Sequence, residues 1–558
     1  MSSDILSSMN QCQKCQAQFE ITPDDNAFYE KMQVLPPTLC PKCRAQLRLT
    51  FRNERVFYKR PCDKCKKSVV SMYSPNKPYT VWCYDCWFAD DWDVSDYAKE
   101  YDVSKPFLDQ LNDLHNAVPK IGLIYVKSPG SEYTNISADN KNCYFIIESS
   151  NNEDSIHSYW IQECRDVVDT SFASKCELCY ECDDCYNSYK LKYSKGCHDC
   201  RESSFLFDCK GCSDCLGCVN LRQRQYSIFN EQLSKEKYQQ KLELFALHTA
   251  SGVDVFRKKF TEFVRSSPRK YGEIVQTVES SGNYINHAKN CKNCFHCYDA
   301  EDCAHAEHVW RNAKDCMDVS TAGRNANHIY NSINTGIDVS HCIVCAQAWS
   351  STFAEYCFNC FNSNYIFGCV GVRKKDYCIL NKQYSKDEFE KLRSVIIGQL
   401  KERGEYGQFF PAQFSCFGYN ETAAREQFPL SRDEALAQGF KWEDTPRGTY
   451  GKETKQWNDV PDSINDITFN VVPEIFTCTS CTKNYKIIAN ELAFYKRLNI
   501  PLPQCCPDCR HERRLKARGP NELHTRSCSN CNALVQTSYS ETDVPIVYCE
   551  ACYNQAFA

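Results

Sequence analysis

The sequence predicts a mainly β chain in which two parallel β-helix-like solenoids with helical caps lie between a pair of four-cysteine modules at each end. Three observations carry this. Eight cysteines between positions 12 and 86 recur between 478 and 552, every one displaced by 466 positions (478 − 12). A second duplication lies inside the first: Gly217, Cys218, Val219, Arg222, Tyr226, Ile228, Asn230 and Gln232 return as Gly368, Cys369, Val370, Arg373, Tyr377, Ile379, Asn381 and Gln383, displaced by 151 (368 − 217). Within each inner copy cysteines also recur at steps of about 12, as at 164 and 176, 197 and 209, or 345, 357 and 369.

The end modules carry the firmest chemistry. Cys12 and Cys15 stand opposite Cys40 and Cys43, and Cys62 and Cys65 opposite Cys83 and Cys86; the later copy supplies Cys478, Cys481, Cys506 and Cys509, then Cys528, Cys531, Cys549 and Cys552. Pairs at this spacing fill the tetrahedral shell of Zn²⁺ and leave no open position, so four structural zinc sites, each held by four cysteines, are expected. A thioredoxin-like pair works singly, whereas these come in fours. Residues 1–10 show neither a basic stretch nor an apolar one of the secretory kind, and no apolar run approaches the roughly 20 residues of a membrane span. The expectation is a cytoplasmic, reducing home without a membrane, where thiolates are held by metal and not as disulfides.

Cys12-Gln13-Lys14-Cys15, Phe19, Ile21-Thr22, Ala27-Phe28-Tyr29, Pro37 and Cys40-Pro41-Lys42-Cys43-Arg44 resemble the probable treble-clef zinc-ribbon domain of small bacterial proteins. The second copy keeps Ala493-Phe494-Tyr495, Pro503 and Cys506-Pro507-Asp508-Cys509-Arg510, and departs at Ile487-Ile488. The resemblance covers the first half of each module and implies a fold and a metal, but no catalytic activity. A treble clef sets its second knuckle at a helix N-terminus, where the dipole favours thiolate; this suits Cys43 and Cys509. Register selects Cys506 over its neighbour Cys505 as the partner of Cys40.

Basic residues crowd the modules: Arg44, Arg48, Arg52, Arg55, Lys59 and Arg60 in the first, Arg510, Arg513 and Arg514 in the second. Clustered cations are the electrostatic footprint of RNA or DNA binding, and equally of an acidic protein surface. Four thiolates around one Zn²⁺ also leave about two negative charges that such cations offset, and both readings stand. The formal net charge of −5 divides as about +4 for residues 1–90, +2 for 474–558 and −11 between them, so a nucleic acid would meet the ends.

The expected domains are a double zinc module at 1–90, a helical linker at 91–136, solenoid A with its capping helix at 137–270, solenoid B with its capping helix at 284–403, a connecting segment at 404–473 and the second double module at 474–558. Solenoid cysteines are by default an inert core, because cysteine behaves as a small hydrophobe. Runs such as Cys176, Cys179, Cys182 and Cys185 keep open the alternative of a metal- or thiol-storage or iron–sulfur protein, as do His287, His296, His305 and His308 near Cys291, Cys294, Cys297 and Cys303 in copy B. A capping box from Ser385 to Glu388 opens one helix and Ser234 precedes another, with Phe389, Leu392, Ile396 and Leu400, and Tyr238, Leu242 and Phe245, as the faces that would cover the solenoid ends. Within the connector, Ser431 and Glu434 open a short helix that stops at Gly439.

Over most of its length the chain is similar to a group of uncharacterised cysteine-rich proteins of candidate-phylum bacteria, a likeness that supplies an architecture and no activity. No P-loop, dinucleotide fingerprint, nucleophile elbow or metalloprotease motif is present. Asp183-Asp184 and Glu301-Asp302 are the nearest to paired catalytic acids, and acids at turns are ordinarily solvated. The functional expectation is a non-catalytic zinc scaffold that engages a partner.

Overall fold

The computed structural model describes residues 8–557 except 322, 335, 446 and 447; the opening stretch on which the reading of no secretory signal rests lies mostly outside the described residues. The chain is mixed and not mainly β, with 25% helix and 27% strand. The difference has a local cause: the modules and the segments between the repeats are helical. In the N-terminal module a hairpin of Ser8–Gln11 and Gln18–Ile21 is followed by helices Pro23–Met32 and Pro41–Leu49, each with proline in its first turn. A second hairpin, Tyr58–Pro61 with Ser68–Ser71, leads to the short helix Tyr84–Phe88. The C-terminal module repeats this order with helices Ala489–Leu498, Pro507–Arg518 and Glu550–Phe557. Where the first copy has a full capping box between Thr22 and Asp25, the second has lost the hydroxyl, and only the Ile488 N–H to Glu491 half survives at 3.4 Å.

Between the modules the backbone stacks on itself in parallel. In stack A, Tyr125–Val126 pairs with Ser137–Ala138, and bridges run onward from Glu132↔Tyr144 to Lys210↔Arg222, each joining a residue to the one 12 later. Every third residue is left-handed: Tyr133, Ile136, Asp139, Asn142, Phe145 and Glu148 have φ of 50° to 54°. A triplet therefore consists of a bridging residue, a left-handed residue and an inward residue, and four triplets close one turn. The left-handed state is costly for most residues. It persists because such N–H groups are bonded across the stack, as from Phe145 to the Glu132 carbonyl at 2.9 Å.

The inward positions explain the composition. Their N–H groups point into a narrow interior lined mainly by cysteine and serine with a few aliphatics such as Leu191 and Leu206, and need an acceptor from the turn before. Ser188 Oγ accepts from Cys200 N at 3.2 Å, Ser203 Oγ from Cys215 N at 3.0 Å, and Asn152 Oδ1 from Cys164 N at 2.9 Å. A cysteine there is small, fully buried, and donates its S–H to a carbonyl nine residues on, as Cys176 does to Cys185 O at 3.2 Å and Cys200 to Cys209 O at 3.3 Å. Burial pushes the Cys143 thiol up to about 11.

Stack B is a sheet of ten strands in chain order, from Ile274–Val275 to Lys382–Gln383, parallel except for its last hairpin. Three of its steps are 13 residues, Ala300↔Ala313, Lys314↔Asn327 and Asn327↔Ser340. Both stacks begin before the cysteines do, at Tyr125 and Ile274, because first rungs can be lined without thiols. The helices Lys235–Leu244 and Lys386–Glu402 follow terminal hairpins as expected, with Tyr238, Phe389, Ile396 and Leu400 buried but Leu242 exposed. The stack ends are also covered by helices that the capping reading did not include. Phe256 of Ala250–Ser266 lies over Gly217, and Phe107 of Phe107–Ala117 lies over Gly368; a Cβ on those left-handed glycines would come within 2.8 and 2.6 Å of the rings.

The two modules bridge the two stacks in a crossed arrangement. Val81–Trp82 pairs with Lys120–Ile121 at the head of stack A, and Val547–Tyr548 pairs with Arg269–Lys270 at the head of stack B. The other half of each module packs on the opposite stack: the Tyr29 ring meets Tyr330 of stack B, and Tyr495 meets Tyr180 of stack A, both at 5.5 Å.

An inward thiol should be replaceable by hydroxyl but not by bulk. Cys182→Ser is expected to cost less than about 1.5 kcal/mol in urea denaturation, whereas Cys182→Leu should cost about 1–3 kcal/mol by overpacking.

Candidate metal centres

Four groups of four cysteines assemble, each with its sulfurs within 4.8 Å of one another: Cys12, Cys15, Cys40 and Cys43; Cys62, Cys65, Cys83 and Cys86; Cys478, Cys481, Cys506 and Cys509; and Cys528, Cys531, Cys549 and Cys552. The third contains Cys506 and not Cys505, as register requires. Sulfur pairs stand at 3.7 Å (Cys15 and Cys40, Cys481 and Cys506, Cys531 and Cys549) and 3.9 Å (Cys65 and Cys83). A tetrahedron with metal–sulfur bonds of about 2.3 Å has edges of about 3.8 Å, whereas a disulfide needs about 2.05 Å. The spacing fits a four-coordinate ion, and every cysteine is free.

Local backbone builds each shell. The first cysteine sits at the hairpin turn and receives backbone N–H groups: Cys83 N donates to Cys62 Sγ, Cys506 N to Cys478 Sγ and Cys549 N to Cys528 Sγ, all at 3.2 Å. Burial opposes ionisation of Cys62, but these backbone donors outweigh it and draw the thiol down to about 6; Cys528 falls likewise to about 6 and Cys478 to about 7. The third cysteine is the helix N-cap, at Cys40, Cys83 and Cys506, which places Cys43, Cys86 and Cys509 in the first turn. With four protein ligands the shell is closed to substrate. Among the described residues no further group of three or more ligands meets the same distance test. His296 and His308 instead stack on each other at 4.8 Å, and His296 Nδ1 lies 2.9 Å from Arg518.

The basic residues occupy a different setting from the one their clustering suggests. Arg44 and Arg48 lie on the helix after the first knuckle, and both meet Asp318 of stack B, at 2.5 and 3.4 Å. Their counterparts 466 residues on, Arg510 and Arg514, meet Asp169 of stack A at 3.0 and 3.3 Å. Arg48 donates to Ser320 Oγ and Arg514 to Ser171 Oγ. One turn further, Arg52 pairs with Glu148 at 2.6 Å, and Arg518 with Asp183 at 3.1 Å and with Asp184. Arg518 is held between the Phe172 and Tyr284 rings. Arg44, Arg48, Arg52, Arg60, Arg510 and Arg514 are buried, and Arg60 pairs with Asp63. Only Lys59 and Arg513 of the nine are exposed, and Arg513 is paired with Glu181 at 2.6 Å; Arg55 is half-buried. An ion-paired, buried guanidinium offers nothing to a phosphate.

Asp183 and Asp184, the acids nearest to a catalytic pair, are thus the anchor of Arg518, and Glu301 is paired with Lys289 and Lys314. The acids Asp169, Asp318, Glu148 and Glu181 are absent from the sequence reading. A signal for the clamp was present, since arginines at i, i+4 and i+8 occur at 44, 48 and 52 and again at 510, 514 and 518.

Removing the shared acid should be expensive. Asp318→Ala strands two buried guanidinium groups and is expected to cost about 3–5 kcal/mol in urea denaturation, whereas Arg513→Ala at the surface should cost under about 1 kcal/mol. Glu181 gives the pH dependence: burial raises its pKa, but Arg257, Arg513, Arg514 and Arg510 overcome this and hold it at about 2 against an ordinary 4.5. Its folded pKa being the lower, its contribution is complete above 4.5 and is lost as pH falls toward 2. Stability against pH should show this acid limb in the parent and a shallower one in Glu181→Gln.

No helix among the described residues is long and apolar enough to cross a membrane. Comparison with protein-family models and with curated proteins returns no match.

Proposed function

We propose that the chain is a non-catalytic zinc scaffold, in which two solenoids of the narrow parallel β-helix kind are clamped side by side by treble-clef modules of the zinc-ribbon type. The observation that carries this reading is the set of four closed four-sulfur shells, each on a module whose arginines are engaged inside the molecule. Zinc is the ion of choice for an all-thiolate structural tetrahedron, and free thiols in such number fit a reducing, cytoplasmic home. The solenoid thiols, bonded to backbone carbonyls, serve the core in this reading and do not store metal.

Partner binding then falls to the surface that the clamps leave. On the N-terminal module Lys59, Lys66 and Lys67 remain exposed around the second zinc shell, and RNA or DNA is the partner chemistry they would suit. Native mass spectrometry of the full chain should find four Zn²⁺ per molecule and no iron; more than four metals, or iron–sulfur absorbance, would return the solenoid cysteines to the ligand set. Chelation at neutral pH should unfold the modules and lower the melting temperature by well over about 10 °C, because metal affinity is folding energy in such units. A single-stranded RNA probe should bind the full chain at low salt and be released as salt rises. Absence of binding at low salt would remove nucleic acid from the proposal.

A further inference from the structure

A cleft of about 400 Å³ opens where four parts of the chain converge: residues 54–57 between the N-terminal zinc shells, the early turns of stack A, the connector around 421–426, and the helix that follows Cys506. This size is in the range of small-ligand sites. Its apolar wall is aromatic, formed by Phe57, Tyr133, Tyr144, Phe145 and Tyr485. Most of its charges are already matched. Arg425 pairs with Glu512 at 2.5 Å, Lys483 with Asp508 at 2.7 Å, Glu421 with Lys77 at 2.5 Å and Glu54 with Arg52. Arg55 feels the carboxylates of Asp508 and Glu426 on the same cleft but forms no ion pair with either. Both of its Nη atoms are buried without a hydrogen-bond partner, and its guanidinium is held over the Phe145 ring at 4.9 Å. His511, 1% exposed on the same wall, has neither ring nitrogen bonded. Lys486 and Glu426 stand exposed at the rim.

The duplication shows that these groups are not part of the repeated plan. The position 466 after Arg55 is Asn521, the position 466 before His511 is Ala45, and that before Lys483 is Ala17. The scaffold is therefore built once without them. They gather where the unduplicated connector closes over the module, and a buried guanidinium with two unsatisfied faces is costly unless something accepts from it.

We propose that this cleft binds a small organic anion, a carboxylate or phosphate monoester that carries a planar ring, with Arg55 clasping the anionic group and Tyr144, Phe145 and Phe57 packing the ring. Two parallel N–H bonds from one guanidinium are the natural complement of either anion, and the aromatic wall suits a flat partner. The inference is independent of the scaffold reading.

The test uses the full-length, metal-loaded protein and isothermal titration with three probes: AMP, 4-hydroxybenzoate and inorganic phosphate. The expected result is that AMP or 4-hydroxybenzoate binds at least about tenfold more tightly than inorganic phosphate, which lacks the ring, and the stronger of the two identifies the anionic group. Arg55→Gln, with metal content and melting temperature retained, should weaken that binding by about 30-fold, on the scale of one lost charge-assisted pair. Should Arg55→Gln not fold, Lys486→Glu at the exposed rim should still weaken it by about fivefold through repulsion. The proposal is overturned if neither organic anion binds more tightly than inorganic phosphate, or if a folded Arg55→Gln or Lys486→Glu binds as the parent does.

Discussion

The structure depends on buried arginine–carboxylate contacts made twice, once by each terminal module. Asp318 and Asp169 are completely buried, and each receives two guanidinium groups from successive turns of one helix. Such a set gains little net stability over a well-packed apolar contact, since desolvation consumes much of the attraction. What it does supply is position. An apolar patch on a parallel stack with a 12-residue repeat could slide by one turn and meet almost the same surface. A carboxylate at a single rung cannot be matched elsewhere, so the helix is fixed in register along an otherwise periodic wall.

This also explains which parts of the molecule were legible in the sequence. The sixteen module cysteines could be read because a four-cysteine group able to hold a metal tolerates no missing member, and the spacing is the same in both copies. The 12-residue period was visible through Cys164, Cys176, Cys197 and Cys209. Its subdivision into triplets was missed, although left-handed Asp139, Asn142, Asn151, Asp154, Asp166 and Asp169 stand in one phase of three. From sequence, a nucleic-acid face stands beside charge offset at the thiolates and the clamp is out of reach, because a count of charges does not reveal which side of a helix is buried. The clamp's acids lie far off in the chain, 274 residues from Arg44 to Asp318 and 345 from Arg514 to Asp169. The covering helices escaped notice for a similar reason: Phe107 belongs to the chain ahead of stack A yet covers the end of stack B.

Two populations of cysteine follow from two kinds of backbone. In the modules, turn N–H groups converge on sulfur and favour thiolate, as at Cys62 and Cys528. In the stacks the sulfurs are buried from water and many donate to backbone carbonyls, and at Cys143 burial favours the thiol. The same residue type is thus prepared for metal in one place and for packing in the other, and the difference is set within a few ångströms by the direction of peptide groups.

The crossed arrangement of the modules has a consequence for biosynthesis. The N-terminal module leaves the ribosome first, but the acid that receives Arg44 follows it by 274 residues. At about 5–20 residues per second, that delay is on the order of tens of seconds. Through that interval the docking helix of the module is uncovered, while the rungs that will receive it do not yet exist. A metal ion taken early by its four-cysteine groups would hold the module folded while it waits, which would tie the order of metal loading to that of translation.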